Sequence, residues 1–93
     1  MAVLAKVSVE DFDRFWDVFS SRGADHRAAF GSRGAQVFRH GDNENEIWVL
    51  FDWDHDAYLR FLSDSTSKEI MGAAGLLGPP ESQLLHDVGQ HPS

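Results

Sequence analysis

Two hydrophobic periods divide the chain. From Ala2 to Val9 apolar side chains, many of them Val, fall on both sides of a two-residue repeat. That pattern predicts a strand held between two layers. From Asp11 the period lengthens. Phe12, Phe15, Trp16, Phe19, Gly23, His26 and Phe30 recur at spacings of three and four, while Arg14, Asp17, Ser21 and Asp25 lie largely off that stripe. This predicts an amphipathic helix to about Phe30, ended by Gly31 and Gly34. Ser8 is a candidate cap, Asp11 and Asp13 suit the positive helix end, and Gly23 is a candidate break.

Ala35 to His40 reads as a second strand. Gly41 to Asn45 reads as a polar turn, and Glu46 to Trp53 as a third strand. Ile47, Trp48, Val49, Leu50 and Phe51 are consecutive, so both faces of that strand need cover and it should be central. The short link makes the pair an antiparallel hairpin. Asp54 is placed to cap a second helix with the stripe Ala57, Tyr58, Phe61 and Leu62. A shorter helix from Ser67 to Ala74 follows, and Pro79 and Pro80 in the Gly75–Pro80 run forbid its continuation. Ser82 to Val88 reads as a fourth strand and Gly89 to Ser93 as a frayed tail.

The order strand–helix–strand–strand–helix–strand predicts one α+β domain over residues 1–93. Its expected form is a ferredoxin-like βαββαβ, an antiparallel four-stranded sheet with two helices on one face and the second and fourth strands at the edges. Val3, Ile47, Val49 and Phe51 fall on one face of the sheet. Leu4, Trp48 and Leu50 alternate with them onto the opposite face. An uncovered apolar face is a liability in water, and packing it against a second copy removes it, so a homodimer is expected.

Composition narrows the partners. Hydrophobic residues make up 42% of 93, enough for a core. The net charge of −7 repels phosphate backbones, and no nucleic-acid partner is expected. The absence of cysteine removes disulfides, thiolate metal sites and a cysteine nucleophile, and fits a cytoplasmic setting. No run approaches the ~18 apolar residues of a membrane span, and the start of the chain lacks the pattern of a signal peptide, so no membrane partner is expected.

Few residues offer chemistry. His26 lies on the apolar stripe of the first helix, and an imidazole titrating near neutrality suits proton transfer; an edge-of-core histidine is the plainer account. Trp16, Phe19, Trp48, Phe51, Trp53 and Phe61 are candidate walls of a flat apolar pocket, or ordinary core. Trp48 and Trp53 fall on opposite strand faces and cannot share one wall. Tyr58 offers a hydroxyl. His40 and His86 sit on the two edge strands, three gaps of ~4.8 Å apart, too far to share a metal within one chain. Asp54, His55 and Asp56 point different ways on a helix. No metal site and no cofactor is expected.

The runs Val9–Asp13 with Val18-Phe19, Gly31–Gly34 with Val37–Arg39, Asn45-Glu46, Phe51–Asp54, Phe61–Ser63, Met71, Ala74-Gly75 and Gly78–Pro80 resemble small bacterial dimeric α/β-barrel proteins. These are grouped loosely with antibiotic-biosynthesis monooxygenases and polyketide cyclases. The resemblance spans nearly the whole chain and rests on turns, caps and core positions. It implies a pocket between sheet and helices and cofactor-independent oxygenation or cyclisation of an aromatic or polyketide-like molecule. Such substrates supply their own carbanion, which leaves a base, His26, and a dry pocket as the requirements, with Tyr58 donating a hydrogen bond. Where the resemblance implies histidines at the end of the first strand and within the first helix, this chain has Val7 and Arg22-Gly23. The alternatives are a non-catalytic small-molecule-binding or stress-associated homodimer, and a haem protein using His26 or His86 as axial ligand.

Overall fold

The computed structural model describes residues 1–93. Its elements run β1 (Ala2–Ser8), α1 (Phe12–Ser20), α2 (Arg22–Ala29), β2 (Gly34–His40), β3 (Asn43–Asp52), α3 (His55–Ser63), α4 (Ser65–Ala73) and β4 (Glu81–Leu85). All strand pairs are antiparallel, in the order β2-β3-β1-β4. The expected α+β arrangement holds, with β3 internal and β2 and β4 at the edges. Each helical connection is two helices: the second pair matches the expectation, with α4 starting two residues earlier than the sequence predicts, whereas for the first the sequence predicts one helix with a candidate break.

The first connection breaks at Ser21, not at Gly23. The hydroxyls of Ser20 and Ser21 donate to the carbonyls of Trp16 and Asp17, each at 2.6 Å, and Ser21 takes φ −117° and ψ −97°. Serine bonding back to the carbonyl four residues earlier competes with the helix ladder and bends it. Gly23 serves the corner differently: a Cβ there would lie 2.9 Å from the Val18 carbonyl oxygen and 3.0 Å from Arg27 Nη1. The cap of α1 is Asp11, whose carboxylate accepts from the Arg14 N–H at 3.2 Å. Ser8 stays in the sheet, its carbonyl accepting from Leu77 N–H. Asp54 holds the N-cap position of α3 without a side-chain capping bond.

The hairpin is tighter than its polar sequence suggests. His40 pairs with Asn43, leaving Gly41 and Asp42 as the link, with a register shift between Arg39 and His40. Asn43 and Glu44 are strand residues without apolar character because both are exposed there. At the other edge β4 stops at Leu85, opposite Ala2, where β1 begins; His86 to Val88 have no strand left to pair with.

The core lies between the sheet and the helices. Val3, Ala5 and Val7 stand opposite Phe51, Val49 and Ile47, and all six are buried. Phe15, Ala57, Tyr58, Phe61, Ile70 and Ala74 cover them from the helices. Full burial of a Val, Ile or Phe stabilises by about 1.5–3 kcal/mol each. Trp53 is fully buried just past β3, its indole N–H donating to the Phe30 carbonyl at 3.0 Å. Arg14 reaches across to the end of α4 and donates to the carbonyls of Ala73 (2.8 Å) and Gly72 (3.1 Å), the latter also accepting from the Gly75 N–H. The opposite sheet face carries Leu4, Trp48 and Leu50, half-buried, with Phe38 and Leu85 49% and 38% exposed. Nothing within the chain covers it.

Candidate functional site

Between the sheet and the helices lies a cavity of about 70 Å³. Seventeen residues line it and fourteen are hydrophobic, Tyr58 among them; the three others are Gly23, Arg27 and Pro80. Ala5, Val7, Val49 and Phe51 form the floor. Phe15, Val18, Phe19 and the α2 side form one wall, and Phe61, Leu62, Ile70, Met71 and Ala74 the other. Leu62, Met71, Leu76 and Pro80 also border an outer groove, so these four form the mouth. The volume is below the ~150 Å³ of an engineered cavity that accepts benzene. Admission of one ring therefore requires the mouth to give way, and the unbranched, half-buried Met71 is the side chain best built to swing.

Arg27 is the residue that the sequence pattern concealed. It is only 9% exposed, and its guanidinium carbon stands 3.7 Å from the centre of the Phe19 ring and 6.0 Å from that of Phe51. The guanidinium makes no hydrogen bond and no ion pair within the chain. Burial alone pulls its pKa down to about 10, which still leaves it charged at neutral pH. The lining contains no carboxylate to offset that charge. The readable signal was the spacing Phe19, Gly23, Arg27, which keeps Arg27 on the same helical face as the aromatic stripe.

Tyr58 supplies the cavity's hydroxyl, hydrogen-bonded to the Ser82 hydroxyl on β4. Burial raises its pKa, and the Ser82 bond opposes that in part, so the phenol stays protonated at neutral pH. It can donate or accept a hydrogen bond but does not act as a base there.

His26 does not face the cavity, against expectation. Its Nε2 lies 3.0 Å from Asp64 Oδ2 and 2.9 Å from Ser67 Oγ, and its ring packs on Phe30 and Phe61 at centroid distances of 5.0 and 5.5 Å. Asp64 Oδ2 also accepts from the Ser67 N–H at 3.1 Å, capping α4. The Asp64 carboxyl is held below its usual range chiefly by that backbone bond, with His26 adding to it. A hydrolytic Ser–His–Asp triad uses both imidazole nitrogens, one toward each partner. Here both partners meet Nε2, and Ser67 is fully buried. The cluster is a clip between α2 and the start of α4, and it leaves that nitrogen of His26 without freedom to bind haem iron.

The other expected wall residues separate into three groups. Phe19, Phe51 and Phe61 line the cavity with Tyr58. Trp53 is buried beyond the lining, in edge contact with Phe51 and Tyr58. Trp16 and Trp48 do not reach it. Trp16 is 43% exposed on α1, where it stacks on Phe12 and Phe19. Trp48 is on the far sheet face, donating to Glu46 at 2.9 Å with the Lys6 ammonium 5.7 Å from its ring centre. The two-residue strand period put it there, on the side without helices.

No protein-family model matches this chain, and no curated protein matches its sequence. Solved structures do match it. SnoaB, a cofactor-independent oxygenase from Streptomyces nogalater, superposes with a TM-score of 0.75 over 99% of this chain and 96% of that one, at 24% identity. The monooxygenase ActVA-Orf6 of Streptomyces coelicolor, in complex with Nanaomycin D, gives 0.68 over 99% and 91%, at 18% identity. An antibiotic biosynthesis monooxygenase gives 0.69 over 95% and 98%, at 12% identity. The chain has the ferredoxin-like fold that these antibiotic-biosynthesis monooxygenase structures share.

Proposed function

We propose that this protein is a cofactor-independent monooxygenase acting on a small hydroxylated aromatic molecule in the cavity between sheet and helices. The observation that carries the reading is that cavity: largely apolar, aromatic-walled, with Tyr58 as its one hydroxyl, in a fold shared with an oxygenase described as cofactor-independent. A phenol and dioxygen balance to a quinone and water. One oxygen atom bonds to the ring carbon opposite the hydroxyl, the other leaves as water, and the ring is oxidised by the oxidant taken from solution. The lining holds no group that accepts a proton near neutral pH, since His26 is turned away and Tyr58 stays protonated. The substrate must then be acidic enough to ionise to water at the mouth. Tyr58 would orient the oxygen-bearing ring by donating its hydrogen bond, which restricts the encounter with dioxygen to one face.

The same reading includes a homodimer. The apolar band of Leu4, Phe38, Trp48, Leu50 and Leu85 would be covered by its counterpart in a second chain, and light scattering returning twice the chain mass is the expected result.

Oxygen uptake with one-ring phenols whose ring carbon opposite the hydroxyl is unsubstituted tests the activity. Turnover is expected with at least one of them, and Tyr58→Phe should lower kcat on the order of tenfold, the loss of about one positioned hydrogen bond. Because the cavity lacks a base, a second reading is a non-catalytic small-molecule-binding dimer. It would show as a rise in melting temperature with an aromatic ligand that is never consumed.

A further inference from the structure

Arg27 is the one charged group in the cavity, and the fold goes to some length to keep it there. It is nine-tenths buried, stands over the Phe19 ring, and has no acceptor within the chain. Gly23, one helical turn earlier, leaves space for it: a Cβ on that residue would come within 3.0 Å of Arg27 Nη1. A guanidinium carries five N–H donors, and the ring beneath it satisfies none of them in the plane. A charge buried without an acceptor is unfavourable for the fold. Contact with an aromatic face offsets that only in part. The deficit is removed by a ligand that brings the missing acceptor.

We infer that Arg27 is the anion subsite of the cavity, and that the occupant is a small planar organic molecule carrying one delocalised oxyanion on an otherwise apolar frame. The cavity of about 70 Å³ limits it to one ring, and that only with the mouth opened. The planar guanidinium matches a phenolate, an enolate or a carboxylate edge, and the Phe19 and Phe51 rings accept the flat remainder. The inference rests on the cavity being the ligand site proposed above, but not on any oxidation. If the ligand is a phenol, Arg27 also answers the missing base: a cation beside the oxygen favours its ionised form.

Para-nitrophenol, whose ionised form is yellow and which titrates near neutrality, is the probe. Bound to the wild-type protein it is expected to ionise at a pH at least one unit lower than in free solution. Para-nitrotoluene, the neutral analogue, should bind at least tenfold more weakly than the phenolate, and benzoate should displace the phenolate. Displacement by benzoate extends the subsite to carboxylates; failure of benzoate alone restricts it to phenolates and enolates. Arg27→Met should abolish the shift and reverse the preference toward para-nitrotoluene, while Arg27→Lys keeps part of the shift. Melting temperature separates a binding role from a packing role: Arg27→Met should melt higher than wild type, whereas a guanidinium serving only as core packing would make it melt lower. A bound probe that ionises as it does in water, or an Arg27→Met variant with unchanged preference, overturns the inference. Binding of para-nitrotoluene alone overturns it and leaves the cavity reading intact. Failure of both probes to bind overturns both. Phenolate binding without turnover of any aromatic substrate upholds this inference and defeats only the oxidation.

Discussion

His26 and Arg27 are neighbours on α2, turned about 100° apart by the helix, and they meet opposite fates. The imidazole has polar partners at Nε2, Asp64 and Ser67, and packs on Phe30 and Phe61. The guanidinium next to it has an aromatic ring and nothing polar. A protein built for stability alone would favour the first arrangement and avoid the second. The contrast separates structure from function within one turn of helix: the histidine that looks catalytic in the sequence ties two helices together, and the arginine that looks like surface charge faces the cavity.

The largest expected effect comes from breaking the satisfied side. His26→Ala removes one hydrogen-bond partner of the fully buried Ser67 hydroxyl, leaving it only the long 3.4 Å bond to Asp64, and strips two aromatic contacts. Unsatisfied buried groups cost about 1–3 kcal/mol, and the lost ring contacts about 0.5–1.5 kcal/mol. A net loss of about 2–3 kcal/mol lowers the melting temperature by roughly 10–20 °C in a domain this size. Calorimetry measures it. The activity per folded molecule should survive, because His26 does not line the cavity. Loss of turnover in a variant that remains folded would return His26 to the role of base.

Changing the unsatisfied side should act with the opposite sign. Arg27→Met exchanges a desolvation cost of several kcal/mol for the loss of a cation–π contact of about 0.5–2 kcal/mol, and a gain of about 1–2 kcal/mol is expected. The sign carries a pH signature. Below about 10 the arginine is protonated in both folded and unfolded chains, and the cost of burial is fully present. As pH climbs through about 10 the folded side chain releases its proton while the unfolded one retains it, so wild type regains stability relative to Arg27→Met. Denaturant melts of both proteins at pH 7 and above 10 would show the gap closing.

That difference explains how far the sequence could be read. Periodicity located the strands and the helical stretches because the core is amphipathic in the ordinary way: Val3, Ala5 and Val7 on one strand face, Phe15 and Phe19 on one helix face. Boundaries shifted where a local bond or a missing partner outweighed the pattern, as at Ser21, where hydroxyls bend the helix, and at Leu85, where β1 runs out. The aromatic walls were half legible. Phe19, Phe51 and Phe61 follow from facing the helices; the exposure of Trp16 and the far-side position of Trp48 depend on which face the helices cover. Arg27 stayed hidden because an arginine in sequence is read as solvated, and only the third dimension shows that nothing polar reaches it. His26 misled for the converse reason: Asp64 and Ser67 lie thirty-eight and forty-one residues away in sequence.

A smaller change tests the geometry that holds Arg27 in place. Alanine at Gly23 favours the helix by about 0.5–1 kcal/mol, but its Cβ would press on the Val18 carbonyl at 2.9 Å, a backbone atom that cannot swing aside. A net loss of about 1 kcal/mol is expected. The more telling readout is the bound nitrophenol: with the guanidinium displaced from Phe19, its ionisation should return toward the free value. A destabilised Gly23→Ala protein that still lowers the probe's ionisation would mean that Arg27 does not need this corner.

The weakest perturbation is acid, and it addresses the clip alone. The carboxyl of Asp64 is depressed in the folded protein, first by the Ser67 N–H and then by His26. A depressed carboxyl contributes stability that is complete above its ordinary unfolded value and disappears as pH falls through the lowered folded value. The α2–α4 junction should therefore loosen at the acid end of the range, and not at the alkaline end where Arg27 acts. Asp64→Asn keeps an acceptor for the α4 cap but has no titration of its own. Its stability should depend less on pH than that of wild type in the acid limb and match it in shape above neutrality. Parallel acid limbs for the two proteins would place the junction's stability in packing against Phe30 and Phe61, and the contrast between the two neighbouring residues would then be one of burial more than of satisfied charge.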